Sequence, residues 1–456
     1  MIIVALFCLG SGICGGATSG AMLIAGRAIQ GMGSGGINMM IDVIVSDLVP
    51  LRERGNFIAI VLTVYAAGTA IGPVLGGIIV QHSHWSWVFY LNLPICGVAL
   101  VLLFLFLHVN YKRDMTLLER LARIDYVGNA LIMAATVSVL LPLTYAGSRY
   151  AWSAWQTLVP LILGLGGLVL FMGFEGSSLC PHPVMPPRLF ANKTSAIVYI
   201  NTFSFTVLLY WVTFFLPVYF QAVLGSSPAR AGVQFLPATL VGIPGAAIAV
   251  VVLSKFGNYK ALHIVGFAIL ALGMGLFSLL GPSSSAARWI SFQVVAALGT
   301  GMVLNTLLPA FQAGLPESDQ AAATATWAFI RSYGNIWGVA IPAAVFNNRF
   351  ALHANTISDP AVRALLLNGR AYEHATRDFV YSLPSPVREE VISVFSQSLK
   401  LVWQVALVFA GLPFLLAFFE KQIPLRTELE TEFGLTEENK DTKSSQDDKN
   451  VQEVKL

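Results

Sequence analysis

Long apolar runs occupy most of this chain, and they constrain its fold more than any other feature. About twelve of them reach the roughly twenty residues that a helix needs to cross the hydrocarbon core of a bilayer. Lipid offers the backbone no hydrogen-bond partners, and the runs lack the alternation of barrel strands, so each is predicted to be a helix. The chain is therefore expected to be an all-α polytopic membrane protein. The runs lie near 1–17, 20–47, 57–80, 87–108, 125–146, 156–175, 195–220, 231–253, 261–280, 288–311, 321–346 and 401–420.

The composition agrees with a membrane protein and argues against several functions. Of the 456 residues, 56% are hydrophobic and 11% are charged, whereas a soluble domain carries about 25% charged residues. The net charge of +3 is spread along the chain, so no nucleic-acid partner is expected. The 4 cysteines lack metal-ligand spacing, and no metalloprotease, hydrolase, Walker A or dinucleotide motif occurs. We therefore predict no enzyme activity, no metal and no cofactor.

A glycine-rich stretch at 68–77 predicts a helix that packs closely and bends. Gly68, Gly72 and Gly76 recur every four residues and so share one helix face, and small residues on a helix face let a second backbone come near in lipid. Pro73 lacks an amide hydrogen and crowds the preceding turn, so a kink is expected there. Together with Gly77, these residues form either a moving contact between helices or a static packing motif.

Four stretches of the first half follow one another along the chain: LIAGRAIQGMGSGG, SDLVPLRERG, GTAIGPVLGG and WSWVFYLNLP. In this order and spacing they resemble the fourteen-helix drug:proton antiporter branch of the major facilitator superfamily, most closely its fungal toxin and multidrug efflux pumps. The likeness continues into DQAAATATWAFIRSYGNIWGVAIPAAVFN. It implies two helix bundles that rock about a central site. It also implies that the family's first two helices are absent, so that the present spans correspond to helices three to fourteen.

The resemblance divides the chain into four parts. Residues 1–108 would form an incomplete N-terminal bundle, 109–194 a linker region with two extra spans, and 195–420 the C-terminal bundle. An external loop at 347–400 would interrupt the last bundle. The tail 421–456 is charged and polar, and it is expected to be disordered and cytoplasmic.

Charged residues within the spans carry the candidate coupling chemistry, because a charge at the bilayer centre costs about 2.5–3.5 kcal/mol on insertion scales. The resemblance gives Arg27 the role of tuning proton release from a nearby acid, but a structural arginine bonded to backbone carbonyls fits the sequence equally well. Gln30, Gly31 and Gly33 accompany it on the same predicted helix. Asp42 is either a desolvated carboxylate that carries the proton or one near the cytoplasmic interface.

Other polar residues are candidates for a gate and a substrate cavity. Asp47, Arg52 and Arg54 are expected to form a cytoplasmic clasp that holds one conformation, and the two arginines are also possible partners of Asp42. Arg331 either lines the cavity and attracts anionic substrates or anchors its helix. A cavity for amphipathic molecules needs apolar walls with a few hydrogen-bonding groups. The further candidates are polar and aromatic residues within the spans, namely Asn38, Tyr65, Asn201, Tyr210, Trp211, Asn305, Gln312 and Trp327.

These observations predict a monomeric secondary transporter that exports drugs, toxins or secondary metabolites in exchange for protons, with the proton gradient as its energy source and no bound cofactor. Its partners would be the lipid bilayer, protons and a small-molecule substrate. The plasma membrane is the expected location, with the vacuolar membrane as the alternative. An uptake or siderophore-type carrier of the same fold would share these features, and a non-transporting membrane sensor would account for the two absent helices.

Basic residues predict the orientation of the spans. The short loops on one side hold ten lysines and arginines, and those on the other side hold three. The side rich in basic residues is cytoplasmic by the positive-inside rule. The ten are Arg52, Arg54, Lys112, Arg113, Arg120, Arg123, Arg188, Lys193, Lys255 and Lys260, and the three are Arg149, Arg230 and Arg288.

Cysteine labelling of intact cells tests this orientation. In a variant without the native cysteines, a cysteine placed beside Arg54, Arg113 or Lys255 should resist an impermeant reagent, because these loops face the cytoplasm. A cysteine near position 365 should react and serves as the positive control. Labelling beside Lys255 from outside would contradict the orientation. The sequon Asn192-Lys193-Thr194 should also remain unglycosylated.

Overall fold

A computed structural model describes residues 1–48, 51–106, 124–147, 149–316 and 319–424. The regular structure in these ranges is helical, apart from one isolated bridge between Ala146 and Tyr150. Its α-helices are α1 (Ile2–Gly15), α2 (Gly20–Leu48), α3 (Leu51–His82), α4 (Trp87–Tyr90), α5 (Asn92–Phe106), α6 (Tyr126–Tyr145), α7 (Trp155–Glu175), α8 (Lys193–Val218), α9 (Pro228–Leu240), α10 (Gly242–Phe256), α11 (Tyr259–Phe277), α12 (Ala286–Leu304), α13 (Leu307–Gln312), α14 (Gln320–His353), α15 (Pro360–Leu366), α16 (Arg377–Ser382) and α17 (Val387–Ala417).

Eight helical stretches of the described chain are long and apolar enough to cross a membrane. They are Trp87–Phe106, Tyr126–Tyr145, Trp155–Glu175, Lys193–Val223, Pro228–Phe256, Tyr259–Phe277, Ala286–Gln312 and Val387–Ala417. The other four predicted runs coincide with α1, α2, α3 and α14, of which α1 is a shorter apolar helix. The prediction of an all-α polytopic protein is therefore confirmed.

The two halves of the chain bury their side chains differently. In the second half, large rings from three helices meet in one core: Trp211 on α8, Phe277 on α11 and Trp403 on α17 are each at most 1% exposed. The rings of Phe277 and Trp403 lie 4.9 Å apart. In the first half, side chains such as Phe104 and Phe106 are 70% and 77% exposed and form an outer apolar surface. Such a surface suits lipid rather than water.

Long helices occupy both ends of the segment 347–400, which was predicted to be an external loop. α14 continues to His353 and α17 already begins at Val387, so only about thirty residues separate the two long helices. The first turns of α17 are amphipathic, as their sequence indicates, but Val387, Val391 and Val394 are at most 8% exposed and pack into the core. Their spacing of four and three residues keeps them on one helix face.

The two halves meet where α3 packs against α9. A Cβ atom added to Gly77 would collide with the carbonyl oxygen of Pro228, and one added to Gly232 would collide with the carbonyl oxygen of Pro73. Two glycines, one on each helix, therefore bring the backbones into direct contact. The side chain of Gln81, one turn beyond Gly77, accepts a hydrogen bond from the backbone N–H of Ala229 at 3.3 Å.

The contact face of α3 differs from the face predicted by its glycines. A Cβ atom added to Gly68, Gly72 or Gly76 would meet no other atom within 4 Å. The residues toward α9 instead include Pro73 and Gly77, which are separated by one helical turn. A four-residue repeat defines a stripe on a helix, but the position of the neighbouring helix decides which stripe is covered.

This contact predicts opposite outcomes for two neighbouring glycines. Gly77→Ala should lower the unfolding midpoint of the detergent-solubilised protein, because the new methyl group overlaps the Pro228 carbonyl. The expected loss in the free energy of unfolding is about 1–3 kcal/mol. Gly76→Ala is the matched control and should leave the midpoint unchanged or slightly raised, since open space surrounds that position. Equal midpoints for the two variants would exclude the α3–α9 contact.

Candidate functional site

Helices α8 and α14 pack closely along a pair of glycines. Gly334 and Gly338 lie one turn apart on α14, a spacing that the sequence displays as GNIWG. A Cβ atom at Gly334 would collide with the hydroxyl of Thr206, and one at Gly338 would collide with the carbonyl oxygen of Val207. The two helices are therefore held at backbone contact near the middle of the bundle. Sequence analysis missed this pair, although its spacing was visible.

Arg331 lies one turn before Gly334 on α14 and joins a group of aromatic side chains. Its guanidinium carbon lies 4.5 Å from the ring centroid of Trp327, within the range of a cation–π contact. It also lies within electrostatic range of Tyr210 on α8 and of Tyr65 on α3. We call these four residues, Tyr65, Tyr210, Trp327 and Arg331, the seam cluster, because they come from both halves of the chain.

The seam cluster offers hydrogen-bond donors and a positive charge. The indole nitrogen of Trp327 is buried and has no hydrogen-bond partner. Among the described residues, no carboxylate forms an ion pair with Arg331. Tyr65 is 64% exposed, so the cluster is not sealed inside the protein. Aromatic walls with a few unused polar atoms are typical of a site for an amphipathic organic molecule.

Arg27 lies on α2, in the first half of the chain. Its Nη1 atom donates a hydrogen bond to Oε1 of Gln30 at 2.5 Å, and Nε2 of Gln30 donates to the hydroxyl of Ser11 at 2.7 Å. Its guanidinium lies 5.9 Å from the ring of Phe89 and within electrostatic range of Tyr210. The partners described for Arg27 are therefore neutral or aromatic.

The glycines beside Arg27 behave differently from one another. Gly33 faces α1 so closely that an added Cβ atom would lie 2.5 Å from the backbone nitrogen of Phe7. Gly31 has open space around its Cβ position. Gly33, but not Gly31, thus supports the packing of α2 that holds Gln30 beside Ser11.

The other predicted cavity residues lie apart from the seam cluster. Trp211 is fully buried with its ring 5.7 Å from that of Phe409, which is core packing. Asn305 ends α12, and Gln312 donates a hydrogen bond to Thr324 at 2.9 Å. Asn38 is exposed on α2. The side chains of Asp42, Asp47, Arg52 and Arg54 lie outside the described part of the chain.

Comparison with known protein families shows to which family this chain belongs. The family model described as Major Facilitator Superfamily matches residues 1–339. The chain belongs to the major facilitator superfamily. The predicted membership and the predicted facilitator fold are both confirmed, and the chain is a multi-pass membrane protein.

Several relatives of this facilitator are fungal transporters. It is 52% identical to the MFS-type transporter TwmF of Talaromyces wortmannii, over 95% of this chain and 80% of that protein. It is 48% identical to the MFS-type efflux transporter phmH of Phaeosphaeria nodorum, over 95% and 78%. It is 46% identical to the efflux pump FUS6 of Gibberella moniliformis, over 99% and 80%.

A solved structure shows the same fold at low sequence identity. The crystal structure of a bacterial homologue of the human lysosomal transporter Spinster, in an inward-facing and occupied conformation, matches with a TM-score of 0.52 and 16% identity. The match covers 92% of this chain and 81% of that one.

The facilitator also contains a buried polar cluster that sequence analysis assigned only in part. The Nδ2 atom of Asn201 donates a hydrogen bond to Oε1 of Glu420 at 2.8 Å, and Nδ1 of His263 lies 2.7 Å from Oε2 of the same carboxyl group. All three residues are at most 1% exposed. Glu420 follows α17, so the cluster fixes the end of that helix against α8 and α11. One feature of the sequence points to this cluster: a histidine and a glutamate lie in or beside apolar runs.

The first residues after Glu420 are ordered rather than part of a disordered tail. The backbone N–H of Lys421 donates to the hydroxyl of Thr194 at 3.0 Å, and that of Ile423 donates to the hydroxyl of Tyr259 at 2.9 Å. The remainder of the predicted tail, from 425 onward, lies outside the described residues.

One group of described side chains could in principle share a metal ion. The ligand atoms of Asp125, Glu175 and Cys180 lie within 4.8 Å of one another, between the ends of α6 and α7. Asp125 accepts a hydrogen bond from the Gly128 N–H, and Glu175 accepts one from the Met185 N–H, each at 2.7 Å. Burial raises the pKa of the Cys180 thiol. The hydrogen bonds support a structural role for the two carboxyl groups.

The Glu420 cluster predicts a stability difference between two carboxylates. Glu420→Ala should lower the unfolding midpoint, because it leaves Asn201 and His263 buried without their partner. The expected loss in the free energy of unfolding is about 1–3 kcal/mol. Glu389→Ala removes an exposed carboxylate that contacts only Ser385 among the described side chains, and it should cost little. Thermal unfolding of detergent-solubilised protein measures both. If Glu420→Ala unfolds at the same midpoint as Glu389→Ala, the Glu420 cluster does not fix the end of α17 against α8 and α11.

Proposed function

We propose that this protein exports small amphipathic organic compounds, such as drugs, toxins or secondary metabolites, in exchange for protons. It would act as a monomer in the plasma membrane and would need no bound cofactor, with the proton gradient as its energy source. The observation that carries the proposal is the seam cluster, because one site is assembled from side chains of both halves.

A site shared between halves suits alternating access. Tyr210, Trp327 and Arg331 belong to the second half, whereas Tyr65 belongs to the first. If the halves rock about the α3–α9 contact, Tyr65 changes its distance to the other three residues. Substrate that binds one arrangement more tightly than the other then shifts the equilibrium between the two conformations.

The direction of transport is supported by the relatives. FUS6 is called an efflux pump and phmH an efflux transporter, and both cover nearly the whole of this chain. Coupling to protons is supported by Arg27, an arginine within a predicted span that donates a hydrogen bond to Gln30 and lies within electrostatic range of Tyr210 in the other half. An arginine that approaches an acid lowers its proton affinity, and one that moves away lets the proton affinity rise again.

Transport by reconstituted vesicles tests the proposal. A set of fluorescent amphipathic dyes should move across the membrane faster when a pH gradient is imposed, and a protonophore should remove the difference. Arg27→Ala should abolish the gradient-driven rate, and Arg27→Lys should keep part of it if the positive charge is what matters. Arg149→Ala, which removes an exposed arginine between α6 and α7, is the control and should transport normally.

Three results would change the proposal. Gradient-driven rates that are unaffected by Arg27→Ala would remove Arg27 from the coupling mechanism. Transport that ignores the pH gradient would remove proton coupling. Movement of the dyes in the direction of cellular uptake would favour an uptake carrier of the same fold.

A further inference from the structure

We propose that the compounds carried by this protein are organic anions with an apolar body, such as carboxylates, enolates or phenolates. This inference rests on the proposed function and names the substrate class of the seam cluster. It follows from the charges, hydrogen-bond donors and aromatic rings that the two halves present to each other.

Among the described residues, no aspartate or glutamate forms an ion pair with Arg27 or Arg331. Arg27 and Arg331 come from different halves, and both lie within electrostatic range of Tyr210. The ion pairs of the described residues, Arg188 with Asp319 and His263 with Glu420, lie elsewhere. A guanidinium inside a membrane protein is stable only when it is paired or solvated, so an anionic ligand would supply what the described residues do not.

The geometry of Arg331 suits a planar anionic group. Its guanidinium carbon lies 4.5 Å from the Trp327 ring centroid, and its N–H groups form no hydrogen bond with a described residue, so they are available to bind two oxygen atoms side by side. The unpartnered indole N–H of Trp327 lies on the same helix, one turn away, and provides a further donor. Carboxylates and enolates accept such hydrogen bonds, whereas ammonium groups cannot.

The aromatic residues indicate that the rest of the substrate is apolar. The rings of Tyr210 and Phe214 are stacked with 6.0 Å between their centroids, and the ring of Trp327 lies beside the Arg331 guanidinium. Sugar acids and small inorganic anions would bury no apolar area against such rings. An amphipathic acid uses both the rings and the guanidinium.

Positive charge also lines a cavity between α3 and α9, at the end of these helices that is predicted to be external. It has a volume of about 530 Å³, and the described residues that line it include Arg230 and Arg377 but no aspartate or glutamate. Gln81 lines it from α3, so it also lies between the halves. The first residues of α9 and α12 reach it as well, and the N-terminal ends of helices favour anions. An exported anion would thus meet positive charge at the centre and again at the exit.

A pair of probes that differ only in charge tests the inference. Pyrenebutyric acid and its primary amide share the same ring system and chain, and their binding to the purified, detergent-solubilised protein is measured by pyrene fluorescence anisotropy. The protein should bind the acid about tenfold more tightly than the amide, as expected for one charge-assisted hydrogen-bonded pair. Arg331→Gln should abolish this preference while leaving amide binding within about twofold, which shows that the variant is folded.

Two further variants sharpen the result. Arg331→Lys should keep a reduced preference for the acid, because the charge remains but the planar pair of donors is lost. Arg149→Gln removes another arginine that lies over aromatic rings, Tyr145 and Tyr150, and it should keep the full preference.

Equal binding of acid and amide by the unaltered protein would overturn the inference, as would an Arg331→Gln variant that retains the preference. Binding of neither probe by folded protein would also contradict it. These outcomes are separate from a failure of the proposed function, because binding is measured without a membrane gradient. Vesicles that export the amide as fast as the acid would leave proton-coupled export intact and exclude only the anionic substrate class.

Discussion

The contact between the backbones of α3 and α9 is the interaction on which the arrangement of the two halves depends. It requires glycine on both sides, because the carbonyl oxygens of Pro73 and Pro228 occupy the space where a Cβ atom would lie. A contact made of backbone and small residues has little side-chain interdigitation, so one surface can shift along the other without rotamer changes. The same contact places Tyr65 opposite the second half and Gln81 at the edge of the cavity that Arg230 and Arg377 line. The relation between the halves, and therefore the site between them, follows from these two glycines.

The number and approximate position of the spans could be predicted because the bilayer imposes a simple rule on each one separately. A helix of about twenty apolar residues satisfies its own backbone hydrogen bonds, and no knowledge of its neighbours is needed. The face by which a span packs depends on those neighbours. Gly68, Gly72 and Gly76 formed the more regular pattern, yet Gly77 makes the contact. Gly334 and Gly338 show the same four-residue spacing and do pack against another helix.

The residue types of the candidate site could be predicted from the sequence. Which of those residues lie close together could be predicted less well. Four of the nine proposed cavity residues come together, because a tyrosine, a tryptophan and an arginine within apolar spans each need a polar neighbour or an opening. Of the others, Trp211 packs in the core, Asn201 joins the Glu420 cluster, Asn305 and Gln312 lie at helix ends, and Asn38 is exposed on α2. That cluster joins residues more than 150 positions apart in the chain, and no local pattern announces such a contact. Glycine spacing and in-span charge identify candidates, whereas their partners come only from the three-dimensional arrangement.

The close packing of α8 against α14 has a consequence for how a ligand would be held. Because Gly334 and Gly338 leave no gap between these helices, Tyr210 and Arg331 lie on two helices that pack as one unit. On the proposed mechanism, this unit is a preformed binding surface of the second half, and Tyr65 is the wall of the site whose position changes as the halves move. Substitutions of Tyr210, Trp327 or Arg331 should then change which compounds are bound, and substitutions of Tyr65 should change how fast they are released.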